Sequence, residues 1–82
     1  MTVTADSDQI IDRAAAVLRG WRGRLAELLR EGGLDGRHAD GCAALIIAAC
    51  EGALVFARAE RSMRPFDQVA EQLRLHMASL AA

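Results

Sequence analysis

Lysine and tyrosine are absent from the 82 residues, proline occurs once, and the aromatic side chains are only Trp21, Phe56 and Phe66. Three rings are a poor stock for stacking the bases of a single strand. The ten basic side chains, all arginine, stand against eleven acidic ones for a net charge of −1. No strong field of one sign therefore steers nucleic acid or an anionic membrane toward the chain. The two cysteines, Cys42 and Cys50, are eight positions apart in one predicted helix, or about 12 Å at 1.5 Å per residue, beyond the reach of an intramolecular disulfide. With no signal-peptide pattern either, the reading is a reducing cytoplasm. There is no low-complexity linker and no internal repeat. Also missing are a Gly-rich phosphate loop, a Ser/His/Asp arrangement and a pair of carboxylates on an apolar face. Catalysis has no foothold, and no cofactor or metal is expected.

What remains is one small domain over residues 1–82, with 1–6 as a frayed polar tail. A core of this size offsets the entropy of ordering only marginally, and with disulfide and metal set aside the remedy is oligomerisation. The apolar spacing predicts an all-α fold of three helices. The first spans about residues 8–31, capped by Asp6 or Ser7, with Ile10, Ala14, Val17, Leu18, Trp21, Leu25, Leu28 and Leu29 in one stripe. Gly20 and Gly23 sit on its arginine-rich outer side, and Gly32-Gly33 ends it, one glycine in the left-handed position.

Asp35 then caps a second helix over about residues 37–61, which contains the most apolar run, Cys42–Ala59. At about 100° per residue, His38, Cys42, Leu45, Ala49, Gly52 and Phe56 form one face and Ala39, Ile46, Cys50, Leu54 and Ala57 an adjacent one. Asp40, Glu51 and Arg58 leave only a narrow polar strip. A surface helix has one apolar stripe, whereas this helix has two faces to cover. Pro65 begins a third helix over about residues 65–80, with Phe66, Val69, Leu73, His76 and Leu80 at three/four spacing.

The competing readings are bland or weak. A run of about eighteen apolar residues meets the minimum for a membrane span. Glu51 at mid-bilayer would cost roughly 2.5–3.5 kcal/mol, and Ala and Gly add little hydrophobicity, so the reading is a buried soluble helix. His38 and Cys42 have a zinc-compatible spacing, but two ligands do not make a site. His76 reads as a packed seam histidine, and the arginines of the first helix as a solvated face. Gly52 stands out, because a mid-helix glycine loses about 1 kcal/mol unless something packs on it. Trp21, Leu25, Ile46 and Cys50 could line an apolar cavity.

The order of features carries a resemblance: Trp21, Leu25 and Leu28, then Gly32-Gly33-Leu34, then Glu51–Ala59 (EGALVFARA), then Pro65-Phe66 with Val69 and Leu73. From Trp21 to Leu80 the chain resembles the C-terminal half of a TetR-family transcriptional regulator. That resemblance implies a homodimer in which helices two and three pair with their symmetry mates as a four-helix bundle. The dimer contacts would fall on Leu45, Ala49, Gly52, Ala53, Phe56, Val69, Leu73, His76 and Leu80. It also implies an effector pocket for a small, largely apolar molecule, walled by helix one and the inner face of helix two. The family's N-terminal helix-turn-helix is not among these residues, so the expectation is a region that does not bind an operator by itself. The alternative is a stand-alone helical homodimerisation module with no ligand.

Overall fold

Two local signals divide the chain into three helices, and both are chain reversals at the end of a helix. The computed structural model describes residues 3–81, with side-chain surroundings for residues 7–80. Helix α1 runs over Val3–Glu31, α2 over Gly36–Glu60 and α3 over Arg64–Ala81. α1 begins earlier than its expected caps, since neither Gly nor Pro interrupts residues 3–8 and the backbone stays helical through Asp6 and Ser7. Residues 3–6 of the expected frayed tail are thus helical, while Met1 and Thr2 lie outside the described residues.

α1 stops at the glycine pair. Gly33 has φ 105, and the Leu34 N–H reaches back to the Leu29 carbonyl at 3.0 Å while the Gly33 N–H donates to Arg30 at 2.9 Å. These are the two bonds of a Schellman closure. Asp35 then caps α2, its Oδ1 accepting the His38 N–H at 2.9 Å. That backbone hydrogen bond, with a second to the His38 side chain, holds the Asp35 carboxyl below its ordinary value. The cap therefore stabilises α2 above the usual carboxylate range and is lost as pH falls through the lowered value. Arg30 ties the two helices beside the turn, its guanidinium 2.6 Å from Asp40.

The second reversal uses the same geometry without glycine. Arg61 sits at φ 52, ψ 44, the Ser62 N–H donates to the Ala57 carbonyl at 3.0 Å and the Arg61 N–H to Arg58 at 3.3 Å. The Ser62 hydroxyl then accepts the Arg64 N–H at 3.1 Å as α3 begins. Pro65 stands in the first turn of α3, where it has no intrahelical donor to lose.

The helices lie side by side as a layer of Cα extent 54 × 32 × 13 Å. α2 is central and packs on both neighbours, and among the described residues α1 and α3 do not touch. The packed seams are built from small side chains. Ala26 of α1 and Ala39, Cys42, Ala43, Ala53 and Ala57 of α2 are buried. No large side chain is fully buried among the described residues, and Ile10, Val17, Trp21, Val55 and Phe56 are each at least half exposed. α2 is also long and apolar enough to cross a membrane, with a mean hydropathy of 1.8. In this fold its seams with α1 and α3 absorb part of that apolar surface.

Arg61 puts a Cβ at a position that favours glycine, at a cost of about 1–2 kcal/mol for an L-residue. Arg61→Gly is expected to raise stability by about 0.5–1 kcal/mol after the added freedom of the unfolded chain is counted. Thermal melts at one fixed protein concentration should show the midpoint rise by about 3–6 °C.

Candidate functional site

A layer one helix thick has two broad surfaces, and each helix presents a different set of residues to each. On one surface α2 and α3 enclose an open groove of about 580 Å³, with Leu45, Ala49 and Phe56 on one wall and Pro65, Val69, Leu73 and His76 on the other. Glu60, Gln68 and Gln72 supply its polar rim. Six of the nine residues expected at a dimer contact therefore line a single groove: Leu45, Ala49, Phe56, Val69, Leu73 and His76. Leu80 is half-buried at the end of α3.

Gly52 belongs to the same surface by helical phase, one turn before Phe56. It is exposed, and a Cβ built on it would meet nothing within 4 Å. Within one chain the glycine is thus unexplained by packing. Ala53 is the exception in the expected set: at 2% exposure it is already covered by the chain itself. Cys42, on the same predicted face, is buried as well. His38 turns its Nδ1 toward Asp35, at 3.0 Å from Oδ2, so its side chain engages the cap.

The residues expected around an effector lie elsewhere. Leu25, Ile46 and Cys50 are half-buried and Trp21 is 59% exposed. None of the four lines the α2/α3 groove. Cys50 is about 160° round α2 from Gly52, and Trp21 about 160° round α1 from Arg19, which shares a pocket with Ala48, one helical turn before Gly52 on α2. Phase thus puts the Trp21 set on the opposite surface of the layer. There Ile10, Val17, Trp21 and Leu28 form an exposed stripe along α1. That stripe was visible in the spacing, but its lack of cover was not, because periodicity cannot say whether a partner element exists.

The exposed area gives these surfaces a scale. The chain presents 6279 Å² to solvent, where a compact monomer of 8.8 kDa presents about 4,800 Å². The excess is roughly 1,500 Å², comparable to each protomer's share of an obligate interface of about 2,000–5,000 Å².

A family model described as the C-terminal domain of LmrA/YxaF-like transcriptional regulators, a TetR C-terminal family, matches residues 1–72. The chain belongs to that family. No curated protein and no solved structure matches it. The match extends further toward the N-terminus than the resemblance drawn from Trp21 onward. All of α1 is therefore part of the TetR-type C-terminal domain, including the exposed Ile10 and Val17. Leu73, His76 and Leu80 lie past the matched residues, in the second half of α3.

Gly52 separates packing within the chain from packing against a partner. Because its Cβ position is open, Gly52→Ala should leave the single-chain fold intact and favour the helix by up to about 1 kcal/mol. Gly52→Leu should weaken self-association by about 1–3 kcal/mol through overpacking of a close contact. Sedimentation equilibrium of both variants against the parent checks this. Unchanged association of the leucine variant would move the contact off this face.

Proposed function

We propose that this chain is the dimerisation and effector-binding region of a TetR-type transcriptional repressor. Two copies associate through the α2/α3 surface, forming a four-helix bundle from Leu45, Ala49, Gly52 and Phe56 of α2 with Val69, Leu73, His76 and Leu80 of α3. The observation that carries this reading is the excess of exposed surface, with Leu45, Val55 and Phe56 among the large apolar side chains left open on α2, which supports a partner on the scale of an obligate dimer. Family membership supports regulation as the setting and cytoplasm as the place.

The opposite surface, with Trp21 and Leu25 on α1 and Ile46 and Cys50 on α2, is the wall offered to a small, largely apolar effector. Its composition supports the assignment: apolar contact with a ligand uses aromatic and aliphatic side chains and few charges. Such a wall needs a facing surface to enclose the ligand. Operator recognition is not assigned to these residues, since the arginines of α1 are offset by Glu27 and Glu31 of the same helix and by Asp40 and Glu51 of α2, and the chain as a whole carries ten basic against eleven acidic side chains.

Sedimentation velocity at micromolar concentration should give a dimer, and a stable folded monomer would overturn the reading. Phe56→Asp, placing a charge at the centre of the proposed contact, should shift the population to monomer or unfolded chain with a loss of several kcal/mol of association. The chain alone should give no salt-sensitive shift of duplex DNA in a gel assay, because such binding requires several phosphate contacts from a basic surface.

A further inference from the structure

A second groove runs between α1 and α2, and its lining is amphipathic along its length. At one end Gly23 and Gly41 form a recess of about 570 Å³ with Arg19, Arg22, Asp40 and Ala44. Neither glycine has any atom within 4 Å of its Cβ position, so the recess is open. The same two arginines and Ala44 continue into an apolar stretch floored by Ala15, Leu18, Ile47 and Ala48, with Glu51 at its border. One arginine pair thus stands between a polar recess and an apolar trough.

The charges of the recess are unequal in availability. Asp40 is engaged by Arg30 at 2.6 Å. Arg24 and Arg74 are likewise paired, with Glu27 and Glu71. Among the described residues Arg19 and Arg22 form no ion pair, although both lie on the α2 side of α1. They are three positions apart, so their guanidinium groups share one face of the helix. Planar forks so placed match a carboxylate in two-point contact.

We propose that the α1/α2 groove binds an amphipathic organic acid, with its carboxylate between Arg19 and Arg22 over the Gly23–Gly41 recess and its tail along Ala15, Leu18, Ile47 and Ala48. The polarity of the groove sets the orientation. Reversal would bring the carboxylate toward Glu51, and like charges repel. The Arg30–Asp40 pair is a positioning element, because it keeps Asp40 from occupying the arginines. The site is separate from the Trp21 wall, about 160° round α1 from Arg19. It stands whether or not an effector binds there.

The test titrates the full chain with decanoate and, separately, with decanol, both below micelle formation, using calorimetry and the backbone amide resonances of Gly23 and Gly41. Decanoate is expected to bind saturably and to move both glycine resonances. Arg19→Gln/Arg22→Gln should weaken decanoate by about fivefold or more while leaving decanol unchanged. Arg30→Gln should weaken decanoate less, by freeing Asp40 to compete. Circular dichroism should confirm that these exposed substitutions leave the helices intact. If the double variant fails to fold, the contrast of decanoate with decanol and the glycine shifts in the parent chain decide. Equal binding of acid and alcohol, undiminished decanoate binding in a folded double variant, or no saturable binding would each overturn the proposal. Movement of the Trp21 indole resonance without the glycines would overturn it too, while leaving the effector reading standing.

Discussion

The helix α2 is held between two neighbours that never reach each other, and the rest of the structure depends on that constraint. Three helices can close a core only if the third returns onto the first. Here both α1 and α3 pack on α2 alone, and the result is a layer. Such a layer has seams but no interior. The seams are filled by alanine and cysteine, the side chains that fit where two helices approach closely, and the large apolar residues are left on the two surfaces. Hydrophobic burial normally supplies most of the free energy that offsets ordering the chain. A chain that leaves Ile10, Ile11, Trp21, Val55 and Phe56 more than half exposed, and fully buries no large side chain among the described residues, draws less from it alone. On the proposed dimer, association is part of folding, and stability depends on protomer concentration.

The small-residue seams also explain why α2 reads as so apolar. Its alanines fill the buried side, where the helices approach closely, and its Leu45, Val55 and Phe56 stand exposed on the other. Between residues 38 and 59 its only acidic or arginine side chains are Asp40, Glu51 and Arg58. A helix used on both sides acquires the composition of a membrane span without needing a membrane. The short i, i+3 ion pairs Arg24–Glu27 and Arg74–Glu71 lie on the outer helices. They are exposed and contribute little to stability.

Much of this was legible from residue spacing. Asp35 as the cap of α2, the left-handed glycine after α1 and Pro65 in the first turn of α3 each follow from one residue's backbone chemistry. The two faces of α2 followed from a polar strip too narrow for a surface helix. What spacing did not reveal was topology. Nothing in the period of α1 says that Leu18 and Leu25 are half-buried while Val17 and Trp21, on the same stripe, stay at least half exposed. The start of α1 was missed because a capping residue marks a helix end only where something stops the helix upstream. The left-handed Arg61 was missed because the position carries an ordinary side chain. Gly23 and Gly41 were equally opaque, since their role as an open recess appears only once α1 and α2 are side by side.

Close packing through alanine bears on how the two surfaces communicate. Long side chains in a seam can change rotamer and absorb a shift of one helix against another, whereas an alanine methyl has no rotamer to change. Packed interiors of this kind transmit displacement instead of dissipating it. A ligand on the Trp21 surface that moved α1 would act on α2 across Ala26, Ala39 and Ala43. The same α2 presents Leu45, Gly52 and Phe56 on its far side, where a glycine contact tolerates little change in approach. On the proposed assignment, effector and partner subunit would therefore touch opposite sides of one helix, separated by no more than its diameter. The coupling expected of a ligand-responsive dimer then needs no extended path, only a tilt or slide of α2 that both surfaces feel.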